Sequence, residues 1–249
     1  MTTDTVKNNI WNRDVIKYIA MFTMLLNHIS NVFLKRGTFL SEFLLDIGYF
    51  TAITMCYFLV EGYQYTRSKK KYALRLAAFA IISQVPFNLA FTNDGIIRFT
   101  GMNMLFSLLI CFLILICLEK IRRKFLRILA IVGLIALSLI SDWPLFAPVF
   151  TLLFVWAKDS KRRMKITYFI SCILFGLFYY TNGLIIFPKE KSFIISLGAM
   201  AGIALSGIVI TYLYNGKRIE KGRNFSKWFF YIFYPLHLLI LGLIRIWTS

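Results

Sequence analysis

Nine apolar stretches, separated by short polar connections, restrict this chain more than any other feature of its sequence. They cover about residues 14–34, 42–60, 72–91, 101–118, 125–140, 143–157, 166–187, 192–214 and 228–247. About 20 helical residues at 1.5 Å each cross roughly 30 Å of hydrocarbon, and backbone in lipid must satisfy its own hydrogen bonds. The pattern therefore predicts an all-α fold, a polytopic membrane helical bundle of about nine transmembrane helices. The sixth stretch is short and contains Pro144 and Pro148, which predicts a tilted, broken or re-entrant segment.

The charges supply an independent reading. With a cytoplasmic N-terminus, 22 of the 29 Lys and Arg residues fall in the N-terminal segment and every second loop, six fall on the opposite side, and Lys17 lies within the first span. Cytoplasmic loops hold excess cations, so the chain is expected to run N-in and C-out. The net charge of +18 is then a topology signal. A nucleic-acid partner would call for a soluble basic domain, which 59% hydrophobic residues and a mean hydropathy of +0.69 exclude.

Residues 1–13 read as a cytoplasmic segment and 14–249 as one integral-membrane domain, because no connection is long enough to hold a domain outside the bilayer. The start lacks the apolar core and cleavage site of a signal peptide, so no removal before the first span is expected. Cys56, Cys111, Cys117 and Cys172 lie inside apolar stretches without zinc-like spacing and read as small core residues. No metal is expected.

Titratable groups within a span are costly and point to function by default. Lys17 precedes His28 by 11 positions, about 1100° at 100° per residue, which puts both on one face of the first helix roughly 16 Å apart. The separation suits a ligand with an anionic head near the inner boundary and an extended reactive arm. An imidazole can take a proton from an attacking amine or hydroxyl near neutral pH. The alternatives are a snorkelling lysine and a histidine that bonds a neighbouring helix. His237, two residues after Pro235 in the last span, sits at similar depth, either as a second catalytic group or as a polar contact at a proline kink.

At the inner rim, Arg67, Lys71 and Arg75 recur every four residues, a stripe that can hold phosphates if the third helix begins early enough, or else touch anionic lipid. Toward the outer side, Asp46, Gln84, Asn88, Asn103 and Asp142 suggest a polar cavity, and Glu61, from the inner cluster, joins the candidate substrate-cavity residues. Each is also an ordinary helix cap or interhelical bond. Metalloprotease, nucleophile-elbow and phosphate-loop motifs are absent.

The segments Lys17-Tyr18-Ile19-Ala20 with Asn27-His28, Phe58-Leu59-Val60-Glu61-Gly62-Tyr63, Lys71-Tyr72-Ala73-Leu74-Arg75-Leu76, Ser83-Gln84-Val85-Pro86-Phe87, Ser141-Asp142 and Tyr234-Pro235-Leu236-His237-Leu238 resemble the TraX family in order along nearly the whole chain. The family is named for a conjugation-system protein that acetylates the N-terminus of pilin. It is similar in turn to membrane acyltransferases that modify surface polysaccharides, which share a basic residue, ten intervening positions and a histidine in the first span. The resemblance implies acyl transfer from cytoplasmic acetyl-CoA to an acceptor at the outer side of a bacterial cell membrane. It implies His28 and His237 as catalytic residues, and Lys17, Arg67, Lys71 and Arg75 as cofactor-binding residues. Many members carry aspartate where this chain has Asn27, an amide that can hydrogen-bond but holds no charge. The acceptor stays open between a peptide amine, a sugar hydroxyl and a small molecule. A transporter with proton-relay histidines and a noncatalytic assembly factor are the rival readings.

Overall fold

The computed structural model describes residues 10–92 and 98–248, apart from the side chain of Arg223. The expectations for residues 1–9, including Lys7, lie outside the described residues. Among the described residues, nine α-helices follow the nine apolar stretches: α1 Arg13–Phe33, α2 Phe39–Tyr65, α3 Lys69–Phe91, α4 Met104–Lys120, α5 Lys124–Leu137, α6 Phe146–Ala157, α7 Lys161–Ile186, α8 Lys189–Ile208 and α9 Arg223–Thr248. No strand is formed among the described residues beyond two isolated bridges.

Among the described residues, five helices, α2, α3, α7, α8 with its extension to Leu213, and α9, are long and apolar enough to cross a membrane. The chain is a multi-pass membrane protein. The remaining segments differ from the expected spans for identifiable reasons. Arg13, Asp14 and Lys17 interrupt the apolar character of α1, while α4, α5 and α6 have 17, 14 and 12 residues. At 1.5 Å per residue α6 extends only about 18 Å. Its start is set by Leu145, which has a left-handed φ of 63°, so Trp143 and Pro144 belong to a turn rather than to the helix.

The central element is α2, apolar on all sides, with Phe50, Ile53 and Phe58 buried completely or nearly so. It packs against α1, α8, α6 and α4. Outside this group, α9 lies on α3 and α1, α7 on α8 and α6, and α5 on α4, where it buries no residue fully. Small residues let the central helices approach. A Cβ on Gly202 would lie 2.0 Å from the Asp46 carbonyl oxygen, and one on Gly198 would meet the Asp46 carboxylate. These two glycines, four apart, form the close face of α8 toward α2. Gly202→Val is therefore expected to force the helices apart and lower the thermal midpoint, by a loss of about 1–3 kcal/mol; an unchanged unfolding temperature in detergent would show that the contact is not needed.

Hydroxyl groups pin α1 to α2 at two levels. Thr51 Oγ1 donates to the Ala20 carbonyl at 2.6 Å and lies 2.8 Å from Thr23 Oγ1, while Ser30 Oγ donates to the Ser41 carbonyl at 2.9 Å. These bonds fix the rotation of α1, and with it the directions of Lys17 and His28.

Candidate functional site

Two cavities enter the bundle from opposite ends of α1 and α2. The first, about 440 Å3, opens at the end bearing the α2–α3 and α8–α9 connections. Lys17, Arg67 and Arg75 line it together, and so do Arg13, Arg218 and Lys227. The helix start at Lys69, capped by Ser68, leaves Arg67 on the connection before α3 rather than on a continuous stripe. Lys71 is exposed and does not line this cavity.

Folding brings the additional cations in from far along the chain. Trp11 N donates to the Leu213 carbonyl, Asn215 N to the Trp11 carbonyl, and Arg13 N to the Lys217 carbonyl, which clamps the start of α1 to the α8–α9 connection. Asp14 reinforces this clamp by accepting from Ile219 N at 2.9 Å and from Ser226 Oγ. Arg218 is thereby placed on the cavity wall. Burial, followed by the field of Arg13, lowers its pKa from the usual guanidinium value.

Charge within this cavity is only partly compensated. Arg13 is 5% exposed, faces Glu61 at 3.5 Å and donates to the Phe58 carbonyl at 3.0 Å. Glu61 also accepts from Tyr214 Oη at 2.7 Å. The π-helical turn Val209–Leu213 precedes Tyr214 in that contact. Glu61, expected among the substrate-cavity residues, belongs instead to this ion pair at the basic end. Lys17 forms no ion pair among the described residues; its Nζ lies 4.9 Å from the Phe230 ring centroid and 5.8 Å from that of Phe58. The Arg75 Nε is buried without a hydrogen-bond partner. Such a surplus of fixed cations favours a multiply anionic ligand.

The second cavity, about 390 Å3, opens at the other end and is lined by His28, Asn27, Asn31, Arg36, Asp142 and a group of aromatic side chains that includes Trp143 and Tyr179. His28 and His237, 209 positions apart, meet at its wall, where His28 lines the cavity and His237 stands behind it. His28 Nδ1 lies 2.8 Å from His237 Nε2, and the ring planes differ by 6° with centroids 5.0 Å apart, so the imidazoles meet edge to edge rather than face to face. His237 Nδ1 lies 2.8 Å from the Phe233 carbonyl. A carbonyl only accepts, so this nitrogen carries the proton, and in a neutral pair His237 Nε2 then accepts from His28 Nδ1–H. His28 Nε2 is left with a free lone pair, and no group among the described residues bonds to it.

The neighbouring Asn27 accepts from Asn31 Nδ2 at 2.9 Å and donates to the Leu45 carbonyl at 3.2 Å. It thus ties α1 to α2 rather than to the imidazole. Gly48 makes this approach possible, since a Cβ there would lie 2.2 Å from Asn27 Cβ.

Of the expected substrate-cavity residues, Asp142 lines the cavity, held by its backbone N donating to the Met102 carbonyl at 2.7 Å. Gln84, Asn88 and Asn103 do not line it. Asn103 Nδ2 donates to the Ala80 carbonyl and to Gln84 Oε1, Gln84 Nε2 donates to the Gly101 carbonyl and Asn88 Oδ1, and Asn103 Oδ1 caps Leu105 N. Their hydrogen-bonding capacity holds the start of α4 against α3. Asp46 packs on Gly198 and Gly202 of α8 and is also absent from the cavity wall.

The cavities come closest along α2 and α4; along α1 seven residues, about 10 Å, separate Lys17 on the first from Met24 on the second. The second reaches Ala52 on α2 and the first reaches Met55, three residues or about 4.5 Å away. On α4 the boundary falls between Met104 and Leu105. At this level Met24 and Met104 line the second cavity and Met55 and Leu105 the first, and methionine has the flexible, unbranched side chain that repacks most readily.

Comparison with known proteins places this arrangement in context. A family model described as "TraX protein" matches residues 12–245. A relative from Dichelobacter nodosus, described as "Probable fimbrial assembly protein FimC, serogroup H1", is 30% identical over 238 residues, covering 91% of this chain and 92% of its own. No solved structure matches the chain.

Proposed function

The chain belongs to the TraX family, and on that premise we propose that it is a membrane-embedded acyltransferase that moves an acetyl group from acetyl-CoA at the basic end to an amine or hydroxyl acceptor at the opposite end. In this reading the basic end faces the cytoplasm of a bacterial cell and the chain crosses the membrane N-in and C-out. The observation that carries the proposal is His28 Nε2, unbonded among the described residues, at one cavity, with the other cavity, lined by six cations, approaching it along α2 and α4.

Lys17, Arg67, Arg75 and Arg218 bind the phosphates of CoA, with Arg13 held in place by Glu61. The pantetheine arm follows α1 past the methionine wall, and the thioester lies beside His28. His28 Nε2 removes the proton from the attacking amine or hydroxyl, and His237 Nε2 accepts the hydrogen bond of the resulting imidazolium. The relative's description as a probable fimbrial assembly protein favours a subunit of a surface fibre as acceptor.

The paired cavities also suit a transporter that opens alternately to either side. Radiolabelled acetyl-CoA separates the two readings: the acyltransferase binds it and passes the label to an acceptor, whereas a transporter does neither. Lys17→Ala and Arg75→Ala are each expected to weaken acetyl-CoA binding about 10- to 150-fold, the worth of one charge-assisted contact of roughly 1.5–3 kcal/mol. Calorimetry showing wild-type affinity in both variants would remove the cofactor assignment.

A further inference from the structure

We propose that Tyr234 is a third catalytic residue, donating its phenolic hydrogen to the oxygen on which negative charge develops during acyl transfer; this rests on the acyltransferase reading above. Tyr234 lies one helical turn before His237, on the same face of α9, and is 3% exposed. Its ring stands edge-on to both imidazoles, with centroids 6.4 Å from His28 and 5.7 Å from His237.

The direction of its hydrogen bond carries the assignment. Met104 N donates to Tyr234 Oη at 3.1 Å. A backbone N–H can only donate, so the phenol oxygen accepts there and its own hydrogen is directed elsewhere. No acceptor for that hydrogen occurs among the described residues. A buried hydroxyl usually finds a partner, and one left without is paired by a ligand or water. Met104 begins α4 and lines the second cavity beside His28, and Tyr234 stands directly behind this part of the wall. The amide at this helix start also draws electron density from the phenol oxygen and strengthens it as a donor.

The reaction balances with these groups alone. The acceptor nitrogen or oxygen forms a bond to the thioester carbon while its proton passes to His28 Nε2. The carbonyl π electrons move onto oxygen, where the Tyr234 O–H meets them. When they return, the carbon–sulfur bond breaks, and the CoA thiolate takes the proton from His28. Tyr234 keeps its proton throughout, so its part is electrostatic.

The test uses the full chain in detergent with acetyl-CoA as donor and hydroxylamine as acceptor, following acetohydroxamate above a protein-free control. Tyr234→Phe is expected to slow transfer on the order of 100- to 1000-fold, the usual loss for one oxyanion donor, with acetyl-CoA affinity held within about twofold. A role confined to capping α4 would leave transfer by the folded variant near the wild-type rate. Because removing the hydroxyl also removes the acceptor for Met104 N, 3-fluorotyrosine and 3,5-difluorotyrosine at this position provide a second series that preserves packing. Transfer should rise with the acidity of the phenol below its ionisation. A flat series, or Tyr234→Phe within about twofold of wild type, overturns the assignment and leaves His28 untouched. A wild-type chain that binds acetyl-CoA but forms no acetohydroxamate overturns the acyltransferase reading and the role of Tyr234 with it.

Discussion

Replacing His28 with alanine should lower acyl transfer by about 10²–10⁴-fold, the contribution of a positioned general base, while acetyl-CoA affinity stays near that of wild type. The separation of the two effects follows from the geometry. His28 lines only the cavity at the end opposite Lys17, Arg75 and Arg218, so its loss leaves the proposed phosphate contacts intact. His237→Ala should have a smaller effect, about 10–100-fold. It leaves His28 Nε2 in the cavity but removes the acceptor that keeps the proton on His28 Nδ1. Transfer rates and calorimetric affinities measured on both variants check this order. Equal losses, or loss of binding in His28→Ala, would mean that the imidazole pair holds the helices together instead of performing chemistry.

Met55→Trp is expected to reduce transfer on the order of 10³-fold or more, again with binding of the nucleotide end retained. Met55 lies where the two cavities approach most closely along α2, and an indole there fills the space between them. What is lost is the proximity of thioester and base, and well-oriented proximity is worth effective molarities of about 10⁵–10⁸ M. Met55→Ala widens the same point and should leave transfer at or above the wild-type rate. Full activity in Met55→Trp would show that the reactive arm takes another route.

The sequence disclosed the helices readily because apolar length is a local property, and the positions of α1 to α9 follow it closely. It also disclosed Lys17, His28 and His237, since an ionisable group in a hydrocarbon-length stretch is conspicuous by its cost. Arg13 and Arg218 were hidden for the opposite reason. Both sit in ordinary basic flanks, and only the backbone clamp between residues 11–14 and 213–219 turns them into one wall. Gln84, Asn88 and Asn103 suggested a cavity because amides near one end of a bundle can either face water or bond one another. The choice depends on whether the start of α4 needs partners, and it does. Tyr234 stood in a segment that resembles the family but had no chemical signal of its own, since a tyrosine in an aromatic-rich span looks like packing until the donor on its oxygen is known.

The most direct test of the account is a structure of the chain with a non-hydrolysable acetyl-CoA analogue bound. The account predicts phosphates among Lys17, Arg75 and Arg218, the pantetheine arm crossing between Met24, Met55 and Met104, and the acyl carbonyl within hydrogen-bond reach of the groups around His28. A nucleotide seated at the His28 cavity, or an arm that ends on the basic side of an intact methionine wall, would contradict it.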